Sequence, residues 1–131
     1  MRNGLEIIKI KRNISFNYYL NDEIVVKGDI SNGCLWNFET DYNYRRRGYG
    51  SMALNEILNY LFNESKYKKI SLYCYSFNIV AINLYKKFGF KQSVFSKRYS
   101  AFKYILEKEN FRRKSYSSEV SLYEYEKKKK L

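Results

Sequence analysis

The sequence predicts an α/β (α+β) fold, a mixed, twisted sheet of about six to seven strands carrying two main helices. Three observations predict it. The first forty residues run in short, β-branched and aromatic stretches separated by turn-forming residues. The apolar period then lengthens to that of an amphipathic helix. Beyond it, strand-like and helix-like segments alternate to about residue 106.

Taken in order, residues 5–11 alternate and are β-branched, and residues 14–20 are rich in aromatics. Asn21-Asp22 offers a turn before residues 23–30, and Ser31-Asn32-Gly33 another before residues 34–40. Connections this short favour antiparallel pairing. From Ser51, apolar residues fall at Leu54, Ile57, Leu58, Leu61 and Phe62, one face of a helix reaching about Ser65. A basic turn, residues 66–69, leads to a strand over 70–75. Asn78 is a cap for a second helix through Phe88, which Gly89 is placed to stop. Residues 90–95 and 100–106 read as two closing strands. The passage from Cys34 to Tyr75 is strand–helix–strand, so its two strands should be parallel neighbours joined right-handedly.

A chain of 131 residues with 45% apolar content is expected to fold as one domain over residues 1–106, followed by a basic tail over 107–131 ending in the charge run Lys127–Lys130. No run of about 20 apolar residues and no secretory leader is visible, so no membrane role and a cytoplasmic location are expected. Net charge is +12, of which the first 106 residues carry +9, so the body itself is basic. Such a field suits an anionic cofactor and an acidic protein or nucleic-acid partner. Lys66, Lys68, Lys69, Lys86, Lys87, Lys97 and Arg98, interleaved with Tyr and Phe, are candidates for such a patch. The absence of histidine excludes imidazole zinc sites and every mechanism with a His base. No metal is expected, and Cys34 and Cys74 read as free, buried thiols.

The segment Arg45-Arg46-Arg47-Gly48-Tyr49-Gly50 lies between the fourth strand and the first helix. Two glycines one residue apart let a ligand approach bare main-chain N–H groups. The helix start adds unpaired amides and the positive end of its dipole. Three arginines add formal charge at the same place. That chemistry suits a pyrophosphate.

Two motifs together resemble the GNAT N-acetyltransferase superfamily. One is its Arg/Gln-x-x-Gly-x-Gly/Ala loop, matched by Arg45, Gly48 and Gly50. The other is matched by Leu72, Asn78, Ala81, Ile82, Leu84-Tyr85 and Gly89-Phe90. The likeness is close over residues 34–92 and loose before them. It implies transfer of an acetyl group from acetyl-CoA to an amine. The amides of Arg46, Arg47, Gly48, Tyr49, Gly50 and Ser51 would bind the CoA diphosphate, with Arg45 opening the turn. Asn78 would bind the pantetheine arm, cap the helix, or both. Tyr85 would protonate the departing thiolate. The chain departs from the family in passing from strand to strand where two helices usually follow the first strand. It also carries Tyr73 where some relatives place a catalytic Glu. Glu39 is the leading candidate base, with Asp41 and a water relay as alternatives. A strand over 35–40 splayed from 70–75 would donate amides to the thioester oxygen. Cys74 has no activating neighbour and is not expected to be a nucleophile.

The acceptor implied is an amine-bearing molecule, attacking directly: a protein lysine or N-terminus, an aminoacyl-tRNA or other RNA, or a small amine. The alternative class is a GNAT-fold module that binds CoA or nucleic acid without catalysis. Monomer and homodimer are both compatible with the sequence.

Overall fold

A computed structural model of the chain describes residues 1–113. One seven-stranded sheet in the order β1-β2-β3-β4-β5-β7-β6 forms its centre. The first four strands, β1 (Gly4–Ile10), β2 (Asn13–Leu20), β3 (Glu23–Ser31) and β4 (Cys34–Thr40), are an antiparallel meander. Its second and third turns are the residue pairs the sequence marked. Asn21 and Asp22 both take positive φ (50° and 68°), as do Asn32 and Gly33 (50° and 72°). That backbone handedness matches the strand twist, so two-residue hairpins close without splaying. No helix interrupts the meander, in line with the departure from the family noted above.

A short 3-10 turn (Tyr42–Tyr44) leads to α1 (Tyr49–Asn59), which widens into a π-helical turn (Tyr60–Glu64). The helical stretch therefore ends where the sequence predicted and starts two residues earlier. β5 (Lys69–Cys74) runs parallel to β4, α2 (Ile79–Lys87) follows, and β6 (Lys91–Ser96) and β7 (Ala101–Glu107) close the sheet as a hairpin. β7 inserts between β5 and β6.

Both helices bury their apolar sides on one face of the sheet. Leu54, Ile57, Leu58 and Leu61 of the first helical stretch share a core with Ile82, Tyr85 and Phe88 and with Phe16, Ile30, Leu72 and Tyr104 of the strands. Truncating any of these aliphatics to alanine removes about 2–5 kcal/mol. Among the described residues, no helix covers the opposite sheet face.

Ordered packing continues past residue 106, the expected end of the domain. β7 runs to Glu107, Arg112 N–H donates to Phe88 O at 2.9 Å, and the Phe111 ring lies 5.5 Å from Phe62. The rest of the expected tail, including the charge run, lies outside the described residues.

β4 carries a bulge. The register passes from Lys27↔Glu39 to Asp29↔Trp36, so Asn37 and Phe38 oppose Gly28 alone, and Asn37 takes a φ of 54°. The extra residue reverses the alternation of side chains beyond it. Phe38 thereby packs with the core on the helix side, while Trp36 and Glu39 share the bare face.

Candidate active site

The loop from β4 to α1 runs from Asp41 through the three arginines to the glycine that caps α1. Asp41 opens it, its N–H bonded to Val25 O at 2.8 Å and its carboxylate accepting from Asn43 N–H at 2.9 Å. Arg45 is extended, Arg46 takes a left-handed φ of 65°, and Gly48 follows with φ 85°, ψ 2°. Gly48 is the N-cap of α1 and brings no side-chain cap. A Ser, Thr or Asp there would spend its oxygen on the amides of the first turn. The first main-chain bond of α1 is Met52 N–H to Gly48 O, 3.0 Å, so the amides of residues 49–51 stand ahead of the helical ladder. Left-handed backbone at Arg46 and Gly48, just ahead of a helix N-terminus, is the kind of turn that suits an anion.

The three arginines behave differently. Arg45 is tied back, its Nε donating to Thr40 O at 3.0 Å and its guanidinium 3.8 Å from Glu39 and over the Tyr42 ring. Arg47 lies over Tyr44, 5.9 Å from the ring centroid. Arg46 is exposed. Tyr49 is 2% exposed, packed with Tyr18, Val26 and Met52, so only its main chain belongs to the loop.

This loop forms one wall of a cavity of about 520 Å³. Phe38, Glu39 and Thr40 of β4 form a second wall, and Asn78, Ala81, Leu84 and Tyr85 of α2 a third. The structure thus brings together Arg45, Arg46, Gly48, Tyr49, Gly50, Ser51, Glu39, Asn78 and Tyr85; Arg47 and the alternative base Asp41 do not line the cavity. Phe38, Thr40, Tyr44 and Val80 also line it and were not marked by the sequence reading. The signal for Thr40 was its place immediately before the loop; nothing marked Phe38, whose facing depends on the bulge.

Asn78 caps α2, its side-chain oxygen accepting from Ala81 N–H at 3.3 Å. Tyr85 is 8% exposed, flanked by Phe38 at 6.4 Å and Phe90 at 5.7 Å. Burial, with a smaller contribution from Cys74, pushes its phenol far above the ordinary range. The group is therefore a firmly held proton and a hydrogen-bond donor. Glu39 is exposed at the margin of the cavity, its carboxylate paired only with Arg45 among the described residues.

β4 leaves β5 after a single rung, Cys34↔Ser71, with Ser71 N–H bonded to Gly33 O at 2.9 Å. The expected splay is present, and the β4 wall of the cavity lies beyond it. Cys34 and Cys74 are free and buried, and burial raises both thiols, consistent with inert cysteines. Tyr73 points to the bare face, stacked on Trp36 at 5.6 Å.

The seven basic residues do not form one patch. Lys69 pairs with Glu107 at one end of the β5–β7 ladder, whereas Lys97 and Arg98 sit in the turn after Ser96↔Ala101 at the other. The strand crossover separates what composition alone grouped.

A glycine-capped helix start, a sheet splayed beside it and a buried phenol meet at one cavity. The chain belongs to the acetyltransferase (GNAT) family, whose model matches residues 16–90, more than half of the sequence. Two curated relatives are 37% identical over 65 residues, a probable spermine N(1)-acetyltransferase of Bacillus subtilis subsp. natto and the spermine/spermidine N(1)-acetyltransferase of Bacillus subtilis strain 168. The match takes in 48% of this chain and only 43% of each relative's length. Among solved structures, the Campylobacter jejuni N-acetyltransferase PseH in complex with acetyl coenzyme A superposes with a TM-score of 0.63 at 20% identity, covering 75% of this chain and 70% of that one. A point variant of spermidine N-acetyltransferase SpeG from Vibrio cholerae gives 0.66 at 16% identity, covering 81% and 72%. These likenesses show the fold.

Proposed function

We propose that the protein transfers the acetyl group of acetyl-CoA to a primary amine by direct attack, acting in the cytoplasm on a small amine. The observation that carries this reading is the cavity that joins the glycine-capped start of α1 to Tyr85. The names of the curated relatives favour a small amine as acceptor.

In this reading the amides of Arg46 to Ser51 receive the diphosphate, and the pantetheine arm runs past Asn78. The diverging edge of β4 donates to the thioester oxygen as it gains charge. Tyr85 donates a hydrogen bond to the departing sulfur. Because its phenol is raised above a thiol of about 8.5, sulfur draws on that proton only while strongly basic. The amine must arrive neutral; for a lysine-like acceptor this costs about 4.6 kcal/mol at pH 7. Glu39, exposed beside the cavity, receives the released proton and passes it to solvent. Positioning amine and thioester together supplies much of the remaining acceleration.

The test is to incubate the full chain with acetyl-CoA and a panel of amines that includes spermidine, and to follow free CoA and acetylated product. Release dependent on an amine supports the reading. Neither thermal stabilisation by acetyl-CoA nor CoA release with any amine overturns it. Tyr73, standing where a carboxylate is used by some relatives, favours a second reading, a coenzyme-binding module without turnover. That reading expects stabilisation and no release.

A further inference from the structure

The core side of the site cavity is backed by a line of aromatic contacts. Phe38 lines the cavity from β4, its ring 6.4 Å from that of Tyr85 and 6.1 Å from that of Phe16. Phe16 is 1% exposed and lies directly across from Gly28 in the β2–β3 pairing. A Cβ at Gly28 would come within 2.6 Å of the Phe16 ring, so that ring fills the space a side chain there would take. Gly28 is also the residue that Asn37 and Phe38 oppose at the bulge. Gly28, Phe16, Phe38 and Tyr85 therefore run as one row from β3 to α2. Phe38 is backed by a ring that itself rests on main chain, so it cannot swing away without disturbing the strands.

On the acetyltransferase reading, the carbon under attack carries four groups: sulfur, oxygen, the incoming nitrogen and the rest of the acyl chain. That reading gives sulfur to Tyr85, oxygen to the main chain of β4 and nitrogen to the side of Glu39. Phe38 and Glu39 are consecutive on a strand, so their side chains leave it in opposite directions. An amine arriving from the Glu39 side leaves the acyl chain the core side, where Phe38 stands beside Tyr85. An apolar ring there suits a methyl group, and its bulk meets any longer chain.

We propose that Phe38 is the floor of the acyl pocket and limits the donor to a short acyl group, acetyl in preference to butanoyl. The proposal rests on the acetyltransferase reading and adds to it the residue that sets acyl length. The bulge at Asn37 makes this possible. With regular alternation beyond Trp36, residue 38 would share the bare face with Trp36 and the cavity would lose its floor.

The full chain is titrated calorimetrically with CoA, acetyl-CoA and butanoyl-CoA. Acetyl-CoA is expected to bind about tenfold more tightly than butanoyl-CoA. Phe38→Ala should bring the two within about twofold by gaining affinity for butanoyl-CoA, while CoA, which has no acyl group, binds as before. Phe38→Leu keeps an apolar contact with Phe16 and should narrow the gap in part; it carries the test if the alanine variant does not fold. A purely structural role for Phe38 would lower all three affinities together, and that result overturns the proposal. So does equal binding of the two thioesters by the unaltered chain, or a preference that survives both substitutions. If the unaltered chain does not bind even CoA, the coenzyme reading falls and takes the proposal with it. In every other outcome CoA still binds, so the two failures are distinct.

Discussion

Gly50 lies against Thr40 so closely that a Cβ at Gly50 would come within 3.0 Å of Thr40 Oγ1. The first turn of α1 therefore packs close to the end of β4 and leaves no room there for a large side chain. Gly50→Glu should abolish acetyl-CoA binding, since it places a bulky anion where the diphosphate is expected. Gly50→Ala, which asks Thr40 only to give by a few tenths of an ångström, should weaken binding several-fold. Calorimetric titration with acetyl-CoA checks both, and unchanged affinity in Gly50→Glu refutes the loop assignment.

Tyr85 offers a cleaner separation of binding from chemistry. Tyr85→Phe keeps the ring between Phe38 and Phe90 and removes the hydroxyl alone. Turnover should drop at least tenfold if the phenol donates a proton, with acetyl-CoA affinity unchanged. Equal rates would assign Tyr85 to packing.

Asn78 has two roles that different substitutions divide. Asn78→Ala removes the cap of α2 and should cost about 1 kcal/mol of stability. Asn78→Ser restores a capping oxygen but not the amide. If Asn78 also holds the pantetheine arm, the serine variant should regain stability while acetyl-CoA affinity stays low. Recovery of both in the serine variant leaves capping as the sole role.

The buried thiols and phenol set an alkaline limit. Burial raises Cys34, Cys74 and Tyr85. In the unfolded chain the thiols ionise at about pH 8.5 and the phenol at about 10. Above those values the unfolded state has released protons that the folded state retains, so stability falls as pH rises. Below about pH 8 these groups leave stability independent of pH. Urea denaturation between pH 7 and 10.5 should show this decline, shallower in Cys74→Ala. A flat profile, or an identical slope in Cys74→Ala, contradicts the burial of these groups.

The sequence by itself determined the elements and the loop. Turn pairs such as Asn21-Asp22 and Asn32-Gly33 act through local backbone preference, and the spacing of Leu54, Ile57, Leu58 and Leu61 reports helical burial directly. Gly48 and Gly50, Asn78 and Tyr85 were legible for the same reason, because a motif fixes their relation along one segment. Tertiary structure alone decided which face each β4 side chain takes. A single extra residue at Asn37 sends Phe38 to the core and Glu39 to the bare face, and nothing in the local composition announces it. It also decided that Lys69 and Lys97 lie at opposite ends of the sheet, because β7 enters between β5 and β6. Periodicity is a property of neighbours in sequence. Register and strand order come from hydrogen bonds between segments far apart in the chain, and those are fixed only when the sheet assembles.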